Sequence, residues 1–253
     1  MNTGARIIAI IQYLSKTRRL VSLTELSNEL KLDKSGVYRL LSSMKAAQWV
    51  IQDRDTEKYI LGSGILGIAL SFLSNLDIVR ISRSYLEELR ELSEETAFLN
   101  IRIGYERIVV DQVNTHHELL YQVALGRRAP LWKGAPGKAM MAYLTDVEIK
   151  EVLEKIKESK EQYYASGEAI DIEKISAELP SIREKGFAVA AGERVPGAVA
   201  VAAPIFSHQH IVIGSISFAA PMYRINLDQV KKYGPKVKQF ANDISNQLGH
   251  NRP

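Results

Sequence analysis

Cysteine is absent from all 253 residues. Disulfide bonds and thiolate-held metals are thereby excluded, and the composition is compatible with the cytoplasmic setting in which the protein is expected. Long uncharged apolar runs are absent too, so neither a membrane span nor a membrane partner is expected. The first residues, MNTGARIIAIIQYLSKTRR, have an apolar middle but no basic start and no small-residue cleavage site. An amphipathic helix explains them better than a signal peptide. Repeats and low-complexity segments are missing as well. What remains is an ordinary folded composition, 46% apolar and 25% charged, at a length that fits one large or two smaller domains.

The net charge is only +4, but it is unevenly spread. Residues 1–58 hold ten Lys/Arg against six Asp/Glu, whereas the rest of the chain holds 23 of each sign. The whole excess lies in one segment, as attraction to a phosphate backbone requires.

That segment contains SLTELSNELKLDKSGVYRLLSSM, Ser22 to Met44. Ser22 followed by Glu25 predicts a capping box opening a short helix with Leu23, Leu26 and Leu30 on one face. A turn at Lys31–Leu32 leads to Asp33, a second N-cap. Val37, Leu40, Leu41 and Met44 then mark the buried stripe of a second helix. Lys34, Ser35, Tyr38, Arg39 and Ser42 are left facing out, the cation, hydroxyls and arginine that a major-groove reader presents. The pattern is that of a helix-turn-helix on double-stranded DNA. Lys34, Ser35 and Tyr38 are expected on phosphates and Arg39 and Ser42 at base edges, with Ser22 and Thr24 joining the DNA-facing set from the start of the first helix. Upstream, a helix over about Thr3–Ser15 is predicted to bury Ile7, Ile8, Ile11 and Leu14. Downstream, Trp49–Ile51 and Lys58–Leu61 read as strands of a hairpin, a wing whose Arg54 and Lys58 would touch the backbone or the minor groove.

From Ser63 the pattern is helical and richly apolar, through Ile65, Leu66, Phe72, Ile78, Tyr85, Leu86 and Leu89. A linker packing against a second copy is predicted, since helix-turn-helix readers generally use two half-sites; packing on the chain's own second domain is the alternative. Beyond it, FLNIRIG and RIVVDQV read as a hairpin about Gly104. DVEIKEVLEKIKESK and DIEKISAELPSIREKG read as helices, the second irregular near Pro180. GFAVAA, AVAVAAPIF and IVIGSISFAAP read as strands, and one helix spans about Asn226–Leu248. The fold class is therefore α+β, an antiparallel sheet flanked by helices behind a winged helix-turn-helix. The expected domains are 1–62 for DNA binding, 63–93 for linker and dimerisation helices, and 94–253 for effector binding.

Other chemistries fit poorly. GAPGKAM has Trp132 and Ala139 where a phosphate-binding loop needs Gly and Ser or Thr. His208 and His210 could share a strand face toward a metal, but HQH falls where a hairpin turn belongs. No general base is recognisable beside a nucleophile, so no catalytic residue, metal or cofactor is expected. A winged protein-interaction module that reads no sequence is the competing function.

The winged motif, the linker, GRRAPLWKGAPGKAMMAYL, GFAVAAGERVPGAVAVAAPIF and GSISFAAP, in that order, resemble the IclR-type transcriptional regulators across nearly the whole chain. The resemblance implies a winged helix-turn-helix joined to a GAF-like effector-binding domain. It also implies a homodimer or tetramer whose operator binding is modulated by a small metabolite. It assigns one side of the effector pocket to Gly134, Ala135, Gly137, Lys138 and Ala139. Three positions that are often polar in the family are Ala190, Ala200 and Ala219 here, while Ser217 keeps its hydroxyl. An apolar or aromatic effector, held by Ser215, Ser217 and amides near Gly134–Ala135, is the resulting expectation.

Overall fold

The computed structural model describes residues 2–17, 19–74, 76–118, 121 and 123–250. The chain divides into two compact units, Met1–Asn75 and Leu76–Pro253.

In the first unit, α1 (Thr3–Thr17), α2 (Leu23–Leu30) and α3 (Lys34–Ala46) precede a hairpin of β1 (Val50–Gln52) and β2 (Tyr59–Leu61). Val21 bridges to Tyr59, which ties the segment ahead of α2 to the wing. The core is Ile10, Leu14, Leu26, Val37, Leu41, Met44, Val50 and Tyr59. Ile10 takes the place expected for Ile8, which is exposed. It lies four residues before Leu14, one helical turn away on the same face. The Ser22 hydroxyl accepts from the Glu25 N–H at 3.2 Å, but the reciprocal half of the predicted capping box is diverted. The Glu25 carboxylate instead accepts from Arg19 (2.6 Å) and from the Tyr13 hydroxyl (2.9 Å). Lys31 closes α2 in the left-handed region at φ 52°, and Asp33 caps α3 by accepting from the Gly36 N–H at 2.6 Å. α4 (Gly64–Ser74) ends the unit, with Leu66, Ile68 and Leu70 exposed.

The second unit opens with α5 (Asp77–Ser93), followed by a sheet built from β3 (Thr96–Ile103), β4 (Glu106–Val113), β5 (Arg128–Pro130), β6 (Ala188–Ala191), β7 (Ala198–Phe206) and β8 (Val212–Pro221). The order is β5-β4-β3-β8-β7-β6, and every pairing is antiparallel. Alternation along each strand sorts side chains to two faces. Leu99, Val199, Val201, Ile205, Ile216 and Phe218 meet α5, α9 (Leu227–Lys232) and α10 (Gly234–Gln247) on one of them. Ala188, Ala190, Ala202 and Phe206 belong to the core formed with α6 (Ala135–Met141), α7 (Asp146–Glu158) and α8 (Ile172–Lys185) on the other.

Four expectations change. The Ile78, Tyr85, Leu86 and Leu89 stripe of α5 is covered by its own unit's sheet and α10. Of the predicted linker, Leu66, Ile68 and Leu70 of α4 and Leu92 at the end of α5 are left exposed. α8 runs unbroken through Pro180, whose ring is on the exposed side. The terminal helix is two helices, because Pro235 lacks an N–H to continue from α9 and instead starts α10. β5 had no strand signal: it is three residues long and carries Pro130, which an edge strand tolerates.

Leu41→Ala removes a fully buried side chain from the first unit. It is expected to destabilise that unit by about 2–5 kcal/mol, seen as an earlier urea transition with the sheet's signal unchanged.

Candidate DNA-binding face and effector pocket

Each DNA-facing residue named from sequence, apart from the half-buried Ser22, is exposed in the first unit: Thr24, Lys34, Ser35, Tyr38, Arg39, Ser42, Arg54 and Lys58. Two of the hydroxyls are already engaged. Ser42 donates to the Tyr38 carbonyl at 2.9 Å and Ser35 to the Asp33 carboxylate at 2.9 Å. Ser35 and the Gly36 N–H together hold the Asp33 carboxyl below the usual aspartate range. Lys45, not singled out from sequence, contacts the wing through Gln52 at 2.9 Å.

In the second unit a pocket lies between the sheet and the start of α6. Its floor explains the three alanines: Ala190 pairs with Ala200, and Ala200 with Ala219, so they form one row across β6, β7 and β8. Phe98, Val109 and Val123 extend the apolar surface, and Ser217 lies on it in the neighbouring row. Ser215, two residues along β8, is fully buried and outside the lining; its hydroxyl has no partner among the described residues. Gly134 and Ala135, both buried, also line this pocket. Gly134 sits at φ +84°, where a side chain is strained. Gly137 lets α6 approach the Leu131 carbonyl, which a Cβ would meet at 2.3 Å.

The unexpected part is charge. Arg107, on β4, is 3% exposed. One of its terminal nitrogens donates to Asn100 Oδ1, and its Nε has no partner among the described residues. Asn100 in turn donates to Ser217 Oγ at 3.4 Å. Arg194 enters from the loop between β6 and β7. Among the described residues neither guanidinium has a carboxylate within salt-bridge distance. Burial, and then the charge of Arg194, push the Arg107 guanidinium down to about 9; burial lowers Arg194 as well. The alternation Arg107, Val109 against Phe98, Asn100 was available in the sequence. So was the direct pairing of two like charges, Arg102 with Arg107. Arg102 is neutralised by Glu148; Arg107 is not.

Glu193 is the one acid lining the pocket among the described residues, and it forms no salt bridge with either arginine. Its Oε2 accepts from the Gly134 N–H at 2.7 Å, and its Oε1 pairs with Lys138 Nζ at 2.6 Å. Lys138 also pairs with Glu178 at 2.8 Å. Burial opposes the Lys138 charge, but Glu193 and Glu178 outweigh it and hold its pKa above the ordinary lysine value. Elsewhere, His208 and His210 are exposed in the β7–β8 turn, with His210 Nδ1 3.1 Å from His250 Nδ1. No group of three or more His, Cys, Asp or Glu is placed to hold a metal among the described residues. No described helix is long and apolar enough to cross a membrane.

Residues 5–54 match the IclR helix-turn-helix domain, and residues 70–246 match the bacterial transcriptional regulator IclR C-terminal domain. The chain belongs to the IclR family. It is a DNA-binding transcriptional regulator of the effector-responsive kind, which sets aside the interaction-module alternative. It is 29% identical to the HTH-type transcriptional regulator KdgR of Escherichia coli over 97% of this chain and 92% of that protein. It is 30% identical to the HTH-type transcriptional repressor AllR of Escherichia coli over 96% and 88%. The fold matches an IclR transcriptional regulator from Alicyclobacillus acidocaldarius with a TM-score of 0.85, at 24% identity over 97% of this chain and 98% of that one. For Thermotoga maritima IclR the TM-score is 0.74, at 23% identity over 98% and 99%.

The two buried cations of this IclR-family protein predict opposite mutational signs. Lys138→Met strands Glu178 and Glu193 and is expected to cost about 3–5 kcal/mol. Arg107→Met removes an unneutralised buried charge and is expected to raise the melting temperature of the ligand-free protein. The sign with pH follows from the lowered Arg107 value. Below about pH 9 folded and unfolded chains both carry the charge, and the burial penalty is present in full. Above it the folded chain releases its proton first, so the penalty fades as pH rises. The advantage of Arg107→Met, followed by calorimetric melting, should therefore shrink between pH 8 and roughly 10.

Proposed function

We propose that this regulator reads an operator with the exposed face of α3 and adjusts that binding when a small molecule occupies the pocket over the alanine row. Lys34 and Tyr38 bear on phosphates, Arg39 reaches a base edge, and Arg54 and Lys58 hold the flanking backbone from the wing tip. Ser22, Thr24, Ser35 and Ser42 contribute at most weakly, since Ser35 and Ser42 already donate within the protein. The observation that carries this reading is the placement of Lys34, Tyr38 and Arg39, all exposed on a helix whose opposite face, Val37, Leu41 and Met44, is buried.

A homodimer or tetramer on a palindromic site fits α4. That helix, GILGIALSFLS, is apolar on every side, and such helices are buried in finished assemblies. Leu66, Ile68 and Leu70 supply the exposed surface that a second copy would cover. Repression is the favoured sense of regulation, in line with the name of the AllR relative. An effector acts by binding one arrangement of the assembly better than another.

Arg39→Ala tests the interface. A bidentate arginine–guanine contact contributes roughly 1–3 kcal/mol of discrimination. In mobility shifts on the DNA flanking its own gene, specific binding should fall by about tenfold or more, and binding to a random duplex far less. Equal loss on both duplexes would reassign Arg39 to a phosphate.

A further inference from the structure

We propose that the pocket selects a short organic dianion, with Arg107 and Arg194 neutralising its two negative charges together. This rests on reading the pocket as the effector site and names the chemistry it takes.

The two arginines come from separate elements, β4 and the β6–β7 loop, and line the same pocket beside Gly134. A Cβ placed on Gly134 would lie 3.4 Å from Arg194 Cδ and 3.7 Å from Arg107 Nη2. Two cations lining one pocket repel, and after burial the charge of Arg194 is among the causes that lower the Arg107 guanidinium. Buried charges in proteins are normally paired. Here the protein has an acid at hand and does not use it for that purpose. Glu193 is adjacent to Arg194 in sequence, yet both of its oxygens are engaged, one by the Gly134 N–H and the other by Lys138. Lys138 and the Gly134 N–H therefore occupy the carboxylate and tie down the loop that carries Arg194. Asn100 holds Arg107 from behind by accepting one N–H, leaving Nε without a partner among the described residues. The result is two cations without a carboxylate at salt-bridge distance among the described residues, and an anion from outside supplies that partner in the proposed complex.

One negative charge leaves one of the two uncompensated; two compensate both. Arginine forks match carboxylate and phosphate geometry. Size sets the other limit. The space open to water centres is about 50 Å³, against roughly 10–15 Å³ for a single water. That suits a short-chain acid. The Ala190–Ala200–Ala219 row offers no hydrogen bond, so the body of the ligand is hydrocarbon and its polarity is concentrated at the anionic groups. Dicarboxylates and phosphate share this chemistry, and they differ in whether the two charges are spaced along a chain or lie on one group.

The test is titration calorimetry of the full chain at neutral pH. The probes are the dicarboxylates from malonate to adipate, the monoamide of each, and inorganic phosphate. At least one dianion should bind about tenfold or more tighter than its singly charged counterpart. Arg107→Met and Arg194→Met should each weaken that dianion about tenfold or more and bring it within about twofold of its monoamide. Arg194→Lys, which keeps the charge and loses the fork, should fall between. Melting curves confirm that each variant is folded. If a dicarboxylate binds tightest, the proposal stands and the two charges are spaced along a chain; if inorganic phosphate binds tightest, the hydrocarbon body is not recognised and the proposal is overturned. Equal binding of monoamides and dianions overturns the proposal, as does no dianion binding at millimolar concentration or a dianion preference that survives Arg194→Met. Mobility shifts with the tightest ligand separate this from the effector reading. Dianion-selective binding that leaves operator affinity unchanged removes the effector role and keeps the ligand class. An operator response only to uncharged or singly charged acids does the reverse.

Discussion

Two-fold alternation along the strands of one antiparallel sheet is the constraint on which the second unit depends. Every residue on β3, β7 and β8 is committed to one of two faces, and both faces are covered. One set, Leu99, Val201, Ile216 and Phe218, meets α5 and α10 and is wholly apolar. The other set is mixed. Toward β6 it packs under α6–α8, and toward β4 it leaves Asn100, Arg107 and Ser217 around a cavity. Because opposite residues in paired strands share a face, choosing the register of β8 against β3 and β7 also decides which side chains the pocket receives. A slip of one residue would exchange Ser217 for Phe218.

Much of this was legible. Short-range rules sufficed for the first unit: capped helices, a buried stripe with its exposed counterpart, and a polar tip between two short strands. Gly134, Ala135, Ala190, Ala200, Ser217 and Ala219 all border one pocket, and the alanines prove to be neighbours in a single row. Failures came where the deciding contact is distant in sequence. An amphipathic stripe says that a helix is covered but not by what, so α5 read as an interface although it is core. The Glu25 carboxylate had a nearer match in Arg19 and Tyr13 than in its own helix end. Arg107 escaped notice because an arginine at a strand position reads as solvent-facing unless the strand beyond it is known. The regular hairpin register, from Ile103–Glu106 to Asn100–Val109, sets it on the face of Asn100.

Glu193 and Arg194 illustrate how adjacent residues of opposite sign can be kept apart. Their proximity in GERVPG invites a surface ion pair. The fold instead sends the carboxylate to the α6 side, where Lys138 and the Gly134 amide receive it, and sends the guanidinium into the cavity. Lys138 is thus a structural cation whose partners are internal, and Arg194 a cation left available.

Available buried charge also bears on how long the protein lasts. A ligand that pairs Arg107 and Arg194 adds its binding free energy to the folded state alone, about 2.7 kcal/mol when present at a hundred times its dissociation constant. Starved of that ligand, the second unit opens more often, and open chains are the ones proteases cut. With the proposed ligand, the same charge that takes it also ties the chain's abundance to that ligand's supply.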